Sequence, residues 1–434
     1  MRCDMKNSKG NSCRFLFQNY GKLFCLSTFL AFFLNSCVQP SVRKFGNRET
    51  IVLEDDSIQI RKADFVAYKQ RPILGIERLH LVLDSLKDKR VAVVGNQTSM
   101  INNVHLVDTL LALKVNVVKV FAPEHGFRGE ADAGEKVNNA IDTKTGLPLV
   151  SLYGNNKKPS DEQLADVDLV IFDIQDVGVR FYTFISTLHY VMEACAENNK
   201  KVIVLDRPNP NARYIDGPVL DMEFHSFVGM HPVPIVYGMT IGEYAMMING
   251  EGWLEDCQQC DLRIIPCKNY NHNTFYSLPI PPSPNLKTDR AIALYPSLCL
   301  FEGTTVSLGR GTDKPFEIYG HPRFSDTTFQ FIPVPMPGAK TSTQLNKRCY
   351  GYDLSTVDYR SINKLNLDYL INANHLLADS AVFINQNSFF NKLAGNDILK
   401  EQLHNCLSEQ EIRQSWQKGI EEFKEIRKKY LLYD

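Results

Sequence analysis

Apolar and polar positions follow two rhythms along this chain, and the changes between them mark most of its elements. From Arg90 onward, short β-branched runs alternate with stretches whose apolar residues recur every three or four positions. Val91–Val94 is followed by a helical pattern over His105–Lys114 and then by a second run, Val115–Phe121. Leu147–Leu152, a short helix near Asp161–Ala165 and Leu169–Phe172 repeat the alternation, and the longer helical pattern Thr183–Asn198 leads into Lys201–Leu205. Near-continuous apolar strands divided by helices predict an α/β fold: a Rossmann-like open parallel sheet covered on both faces. Val233–Tyr237 reads as another strand, Thr240–Gly250 as a helix and Leu262–Ile265 as a further strand.

The run Leu278-Pro279-Ile280-Pro281-Pro282-Ser283-Pro284-Asn285 is too rich in proline for regular structure and sets a boundary. The Rossmann-like domain is thus expected over 72–285, followed by a smaller α+β C-terminal domain over 286–434 that completes a cleft. That second part holds a Gly/Thr-rich loop at Glu302–Thr312, prolines at Pro333–Pro337, and helices. In the last helix Ile412, Trp416, Ile420, Phe423, Ile426 and Tyr430 make an apolar stripe, expected to dock on the second domain.

Before all this, Lys6, Lys9, Arg14 and Lys22 precede an almost unbroken apolar run, Leu23 to Leu34, too short for a comfortable bilayer span. The run ends in Leu34-Asn35-Ser36-Cys37, which resembles a bacterial lipobox. Residues 1–36 then form a lipoprotein signal peptide, Cys37 carries the lipid, and 37–71 is a polar tether. The expected location is the bacterial cell envelope, membrane-anchored through Cys37 and facing the periplasm. Of 11 cysteines, seven lie beyond Cys37: Cys195, Cys257, Cys260, Cys267, Cys299, Cys349 and Cys406. Cys257-x-x-Cys260 with Cys267 hints at zinc, but a fourth ligand at a recognisable spacing is missing, and no chemistry is assigned to them.

Composition narrows the functional classes. With 44% apolar and 22% charged residues the chain can bury a large core. Lys+Arg 48 against Asp+Glu 49, a formal net charge of −1, makes nucleic acid a poor partner. Neither Gly-x-Gly-x-x-Gly nor a phosphate-cradling Gly-x-x-x-x-Gly-Lys-Ser/Thr loop follows the first strand, so no nucleotide cofactor is expected. The Gly-x-Ser-x-Gly elbow and the His-Glu-x-x-His zinc helix are missing as well. Carboxylates, arginines, His and Tyr are left to carry the chemistry.

These residues gather at predicted strand ends, where open α/β sheets bind ligands. Gly95-Asn96-Gln97-Thr98-Ser99 follows the first strand and Pro123-Glu124-His125-Gly126-Phe127-Arg128-Gly129 the second. Asp173-Ile174-Gln175-Asp176-Val177-Gly178-Val179-Arg180 and Asp206-Arg207-Pro208-Asn209-Pro210 follow two more. Glu124, beside Pro123 and Phe127, is expected to be partly desolvated, which raises a carboxyl pKa and suits a general acid. Asp173 and Asp176 are candidate second carboxylates, with Asp206 behind them. Asn96, Thr98, His125, Gln175, Asn209 and Glu302 offer polar contacts for a sugar. Arg128, Arg180, Arg207 and Arg310 offer guanidinium forks for a carboxylate-bearing substrate, while Tyr182 and Tyr237 could stack on its ring.

Together with Phe181-Tyr182-Thr183, Ser283-Pro284-Asn285, Phe301-Glu302-Gly303-Thr304, Gly309-Arg310-Gly311-Thr312 and Pro315-Phe316-Glu317, these motifs resemble the exo-β-N-acetylmuramidases of the NamZ (YbbC-like) type, glycoside hydrolase family 171. The resemblance runs from about Gly75 to the C-terminus. It implies a Rossmann-like domain, a smaller C-terminal domain, an active site in the interdomain cleft, and Glu124 as the catalytic glutamate. It also implies release of N-acetylmuramic acid from the non-reducing end of peptidoglycan fragments. In such a reaction Glu124 would protonate the glycosidic oxygen while Asp173 or Asp176 assists, and Arg128, Arg180 or Arg310 would bind the lactyl carboxylate. Two rivals stand beside this reading: a non-enzymatic envelope lipoprotein that binds muropeptides or glycans, and a metal-dependent hydrolase.

Overall fold

A computed structural model describes residues 41–45, 48–52, 60–61, 71–124, 126–127, 140–378, 382–386 and 388–434. The chain divides into two units, 1–71 and 72–434. The first contains a three-stranded antiparallel sheet of Ser41–Phe45, Arg48–Val52 and Ile60–Arg61, where sequence predicts only a tether. The signal peptide and Cys37 lie outside the described residues, as do His125 and Arg128. No described helix is long and apolar enough to cross a membrane.

The second unit is built on a seven-stranded sheet. Its strands are β1 (Val91–Gly95), β2 (Val117–Ala122), β3 (Ala140–Ile141), β4 (Pro148–Ser151), β5 (Leu169–Asp173), β6 (Lys201–Leu205) and β7 (Asp261–Ile265). They lie in the order β7-β6-β5-β1-β2-β4-β3, parallel except for the antiparallel edge strand β3. Alternate residues serve opposite faces, as the pleat requires. Val91, Val93, Leu169, Ile171, Ile203 and Leu205 pack into one core, while Ala92, Val94, Val170, Phe172, Val202 and Val204 pack into the other. Both faces are covered, which explains why these strands read as continuous apolar runs.

Helices accompanying the sheet include α1 (Leu106–Ala112), α2 (Asp161–Leu164), α3 (Phe184–Glu197) and α4 (Ile241–Gly250). Local chemistry starts two of them. The Ser160 hydroxyl accepts from the Gln163 amide and the Thr240 hydroxyl from the Glu243 amide, and each Gln or Glu side chain returns to the cap's own N–H. The expected strand Val233–Tyr237 does not form. Val236 instead bridges both Val179 and Asp216, so the segment crosses beyond the strand ends rather than adding to the sheet.

The second, smaller domain contains β8 (Ile318–His321), β9 (Gln330–Phe331) and β10 (Cys349–Asp353), an antiparallel sheet in the order β8-β10-β9. Around it stand α5 (Asp289–Leu298), α6 (Asp368–Leu377), α7 (Phe389–Ala394), α8 (Ile398–His404) and α9 (Glu409–Arg427). The stripe of α9 buries Ile412, Trp416, Ile420 and Phe423 in a core cluster shared by residues of both domains. Arg413 pairs with Asp216 at 2.6 Å, Gly419 lies against Val219, and Arg427 bonds the Gly238 carbonyl. Beyond the helix, Glu243 accepts the Leu432 amide at 2.8 Å and Asp206 accepts the Tyr433 hydroxyl. From the second domain, Lys364 pairs with Glu409 at 3.0 Å and the Leu365 carbonyl accepts Arg413, so polar contacts tie the final helix to both domains.

Candidate active site

The carboxyl ends of β2, β4 and β5 open onto a cavity of about 370 Å³. Glu124 arrives two residues after β2, Tyr153 two residues after β4, and Phe181–Thr183 at the end of the loop that follows β5. Ser283, Asn285, Tyr295, Glu302, Arg310, Phe316, Phe389 and Leu393 line the same cavity. Gly178 lets the β5 loop make its turn. Its φ is +76°, and a Cβ there would meet the Asn209 amide at 2.1 Å.

Glu124 is partly exposed and held by hydroxyls. Thr183 Oγ1 donates to its Oε2 at 2.9 Å, and Tyr153 makes a second hydrogen bond to it. Burial, reinforced by the Glu124 carboxylate, pushes the Tyr153 hydroxyl above its ordinary range, so it stays protonated as a donor. Tyr182 is raised by burial first, then by Asp176 and Glu124, and its hydroxyl donates to the Pro282 carbonyl at 2.9 Å.

Arg310 and Glu302 form an ion pair at 2.7 Å in the same wall. The guanidinium also lies 5.4 Å from the centre of the Phe316 ring. Burial works to discharge Arg310, but Glu302, and more weakly Glu124, hold its pKa above the ordinary value. Among the described residues the cavity thus combines aromatic walls, two carboxylates and one cation, a lining suited to a small acidic sugar.

The family model described as exo-beta-N-acetylmuramidase NamZ, N-terminal, matches residues 91–290, and its C-terminal counterpart matches 293–433. The chain belongs to the NamZ family. It is accordingly a glycosidase. The peptidoglycan beta-N-acetylmuramidase NamZ of Bacillus subtilis (strain 168) is 38% identical over 370 residues, 80% of this chain and 88% of that protein. Two DUF1343 family proteins of Bacteroides fragilis share the architecture in crystal structures. One is 48% identical with a TM-score of 0.78, the other 29% with 0.73, and each match covers 84% of this chain and 99% of theirs.

Of the residues expected from sequence, this NamZ-family cavity brings together Glu124, Tyr182, Glu302 and Arg310. Asp173 is elsewhere. It is wholly buried, with Oδ1 accepting Arg207 Nε at 2.7 Å and Oδ2 accepting Nη2 at 2.9 Å. Both expected roles, catalytic aspartate and substrate-binding arginine, are therefore spent on an internal fork. Asp206 accepts from Thr240, the Gly242 amide and Tyr433, which fastens β6 to α4 and the tail. Burial still raises its pKa to about 6.

Arg180 is fully buried and donates to the carbonyls of Pro218, Val233, Leu393 and Ala394 at 2.7–3.0 Å, so its fork is not directed at the cavity. Asn96, Thr98 and Gln175 form a chain of internal bonds. Gln175 continues it to the carbonyls of Asp176 and Pro208, and Asn209 reaches that of Met239. Tyr237 is buried and gives its hydroxyl to Asp176 rather than stacking on a ligand. Asp176 itself does not line the cavity. Burial raises its pKa to about 6 against the Tyr237 and backbone donors, and its Oδ1 has no partner.

Sequence reasoning passed over Tyr153 and gave Thr183 no role. Tyr153 carries a usable signal, since it follows a strand end just as Glu124 does. Cys260 and Cys267 are free thiols in different surroundings: Cys260 lies in the core, whereas the Cys267 thiol donates to the Asp206 carbonyl at 3.3 Å. Among the described residues, the one grouping close enough for a metal, Glu193–Glu197–Glu255, is already bridged by Lys158.

Proposed function

We propose that this chain is an exo-acting β-N-acetylmuramidase that releases N-acetylmuramic acid from the non-reducing end of peptidoglycan fragments. The observation that carries the reading is Glu124 in the wall of a sugar-sized cavity, aimed by Thr183 and Tyr153 and sharing that cavity with Arg310. Glu124 gives its proton to the glycosidic oxygen as the bond to the anomeric carbon breaks. Arg310 is the cation for the lactyl carboxylate that distinguishes muramic acid from glucosamine. Tyr182 and Phe181 supply apolar surface for the ring. Asp176 accepts the Tyr237 hydroxyl and does not line the cavity. Membership of a glycosidase family disfavours a purely binding protein.

The deciding experiment incubates the protein with chromogenic N-acetylmuramide and N-acetylglucosaminide glycosides. Release from the first, slowed in Glu124→Gln, is expected; release from the second alone would refute the substrate. Exo action predicts N-acetylmuramic acid as the first product from a longer oligosaccharide. The lipid anchor on Cys37 and a periplasm-facing location belong to the same proposal. Cys37→Ala should move the protein from the detergent-rich phase to the aqueous phase, and unchanged partition would dismiss the anchor.

A further inference from the structure

Glycoside hydrolysis by paired carboxylates needs a second carboxylate near the anomeric carbon. The aspartates suggested by sequence are badly placed for it, because Asp173 is spent on Arg207, and Asp176 accepts the buried Tyr237 hydroxyl and does not line the cavity. The cavity wall holds two carboxylates among the described residues, Glu124 and Glu302. They come from opposite halves of the second unit, after β2 and after α5.

We infer that Glu302 is the second catalytic carboxylate, steadied by Arg310. Its backbone is fixed. Gly303, next in sequence, lies so close to α7 that a Cβ would stand 2.4 Å from the Phe390 Cα, and Phe389 and Leu393 of that helix line the cavity. Arg310 Nη2 holds Glu302 Oε1 at 2.7 Å, which sets the orientation of the carboxylate. On the far side of the pair lies a second compartment of about 390 Å³, also bordered by Ser307, Thr341, Ser342 and Thr343. Glu302 can therefore be approached from two sides, by the sugar and by a small nucleophile.

The step rests on the glycosidase reading above. The attacking oxygen bonds to the anomeric carbon and its proton, or that of the amide it belongs to, passes to Glu302. The bond to the leaving oxygen breaks, and its electron pair takes the proton of Glu124. The attacker is either water or the substrate's 2-acetamido carbonyl, whose N–H then supplies the proton as an oxazoline forms. The first anomer seen by NMR separates these sources: α for water, β for the amide.

The test compares wild type, Glu124→Gln, Glu302→Gln, Glu302→Ala and Glu302→Asp on 4-methylumbelliferyl N-acetylmuramide and on the N-acetylmuramyl-N-acetylglucosamine disaccharide. Glu302→Gln should lower kcat about 10²–10⁴-fold on both substrates with little change in KM. Glu124→Gln should lose far more on the disaccharide, whose leaving group needs a proton. Formate should partly and saturably restore Glu302→Ala, and Glu302→Asp should keep measurable activity. A Glu302→Gln enzyme within tenfold of wild type overturns the inference while leaving the glycosidase reading intact. So does a loss that tracks melting temperature, moves KM as much as kcat and ignores formate. A wild type inactive on both substrates brings both readings down.

Discussion

Asp173 and Glu124 both follow apolar strands of one sheet, yet they end in opposite chemical situations. Asp173 commits both carboxylate oxygens to Arg207, gives its carbonyl to Ser99, and has no exposed surface. Glu124 has hydroxyl partners in Thr183 and Tyr153 and borders open space. The crevice at the β1/β5 switch in strand order, where open α/β sheets commonly bind ligands, is filled here by the Asn96–Thr98–Gln175 chain and the Asp173–Arg207 fork. The cavity lies to one side, past β2 and β4. Polar residues at strand ends thus sort by partner rather than by position: a carboxylate that meets a guanidinium in the interior joins the frame.

The contrast can be broken most sharply at Glu124. Glu124→Gln should reduce kcat about 10²–10⁴-fold while leaving the melting temperature in place. Arg207→Met should do the reverse. It strands a buried charge and should cost roughly 3–5 kcal/mol of stability, read by denaturant unfolding, with residual activity following the folded fraction. Equal stability of the Arg207→Met and wild-type proteins would show that the fork is not part of the frame.

A smaller effect concerns pH. Asp176 and Asp206 have folded-state pKa values of about 6 against an ordinary 3.8, so the folded protein keeps these protons to higher pH than the unfolded chain does. Their contribution to stability is complete below about pH 4 and fades as pH rises through about 6, by at most about 3 kcal/mol each. Asp176→Asn should flatten that slope, and an unchanged pH profile of unfolding would exclude Asp176 as its source. The smallest change is Tyr153→Phe, which removes one hydrogen bond worth about 1 kcal/mol and should slow turnover about fivefold. It should also shift the pH–rate curve, whereas Lys418→Ala, on the exposed face of α9, should not.

Much of the frame was legible because burial on both faces forces runs such as Val91–Val94 and Val202–Leu205 to be apolar throughout. Val233–Tyr237 looks the same but is buried against loops and helices, and composition does not distinguish a strand from an extended crossing. At the site, the motifs were legible but their sorting was not. Whether Arg180 points at a ligand or at four carbonyls depends on where Pro218 and Ala394 fall, 38 and 214 residues away. Glu302 and Arg310 were legible as polar residues in a loop, but their place beside Glu124 required the packing of α5 and α7.

Arg180 has one more implication. By binding the last carbonyls of α7 from within, it fixes the helix whose Phe389 and Leu393 face the cavity. A sugar docking there meets a wall that is already set, so little binding energy is diverted into rearranging the host and more of it is left to discriminate among guests.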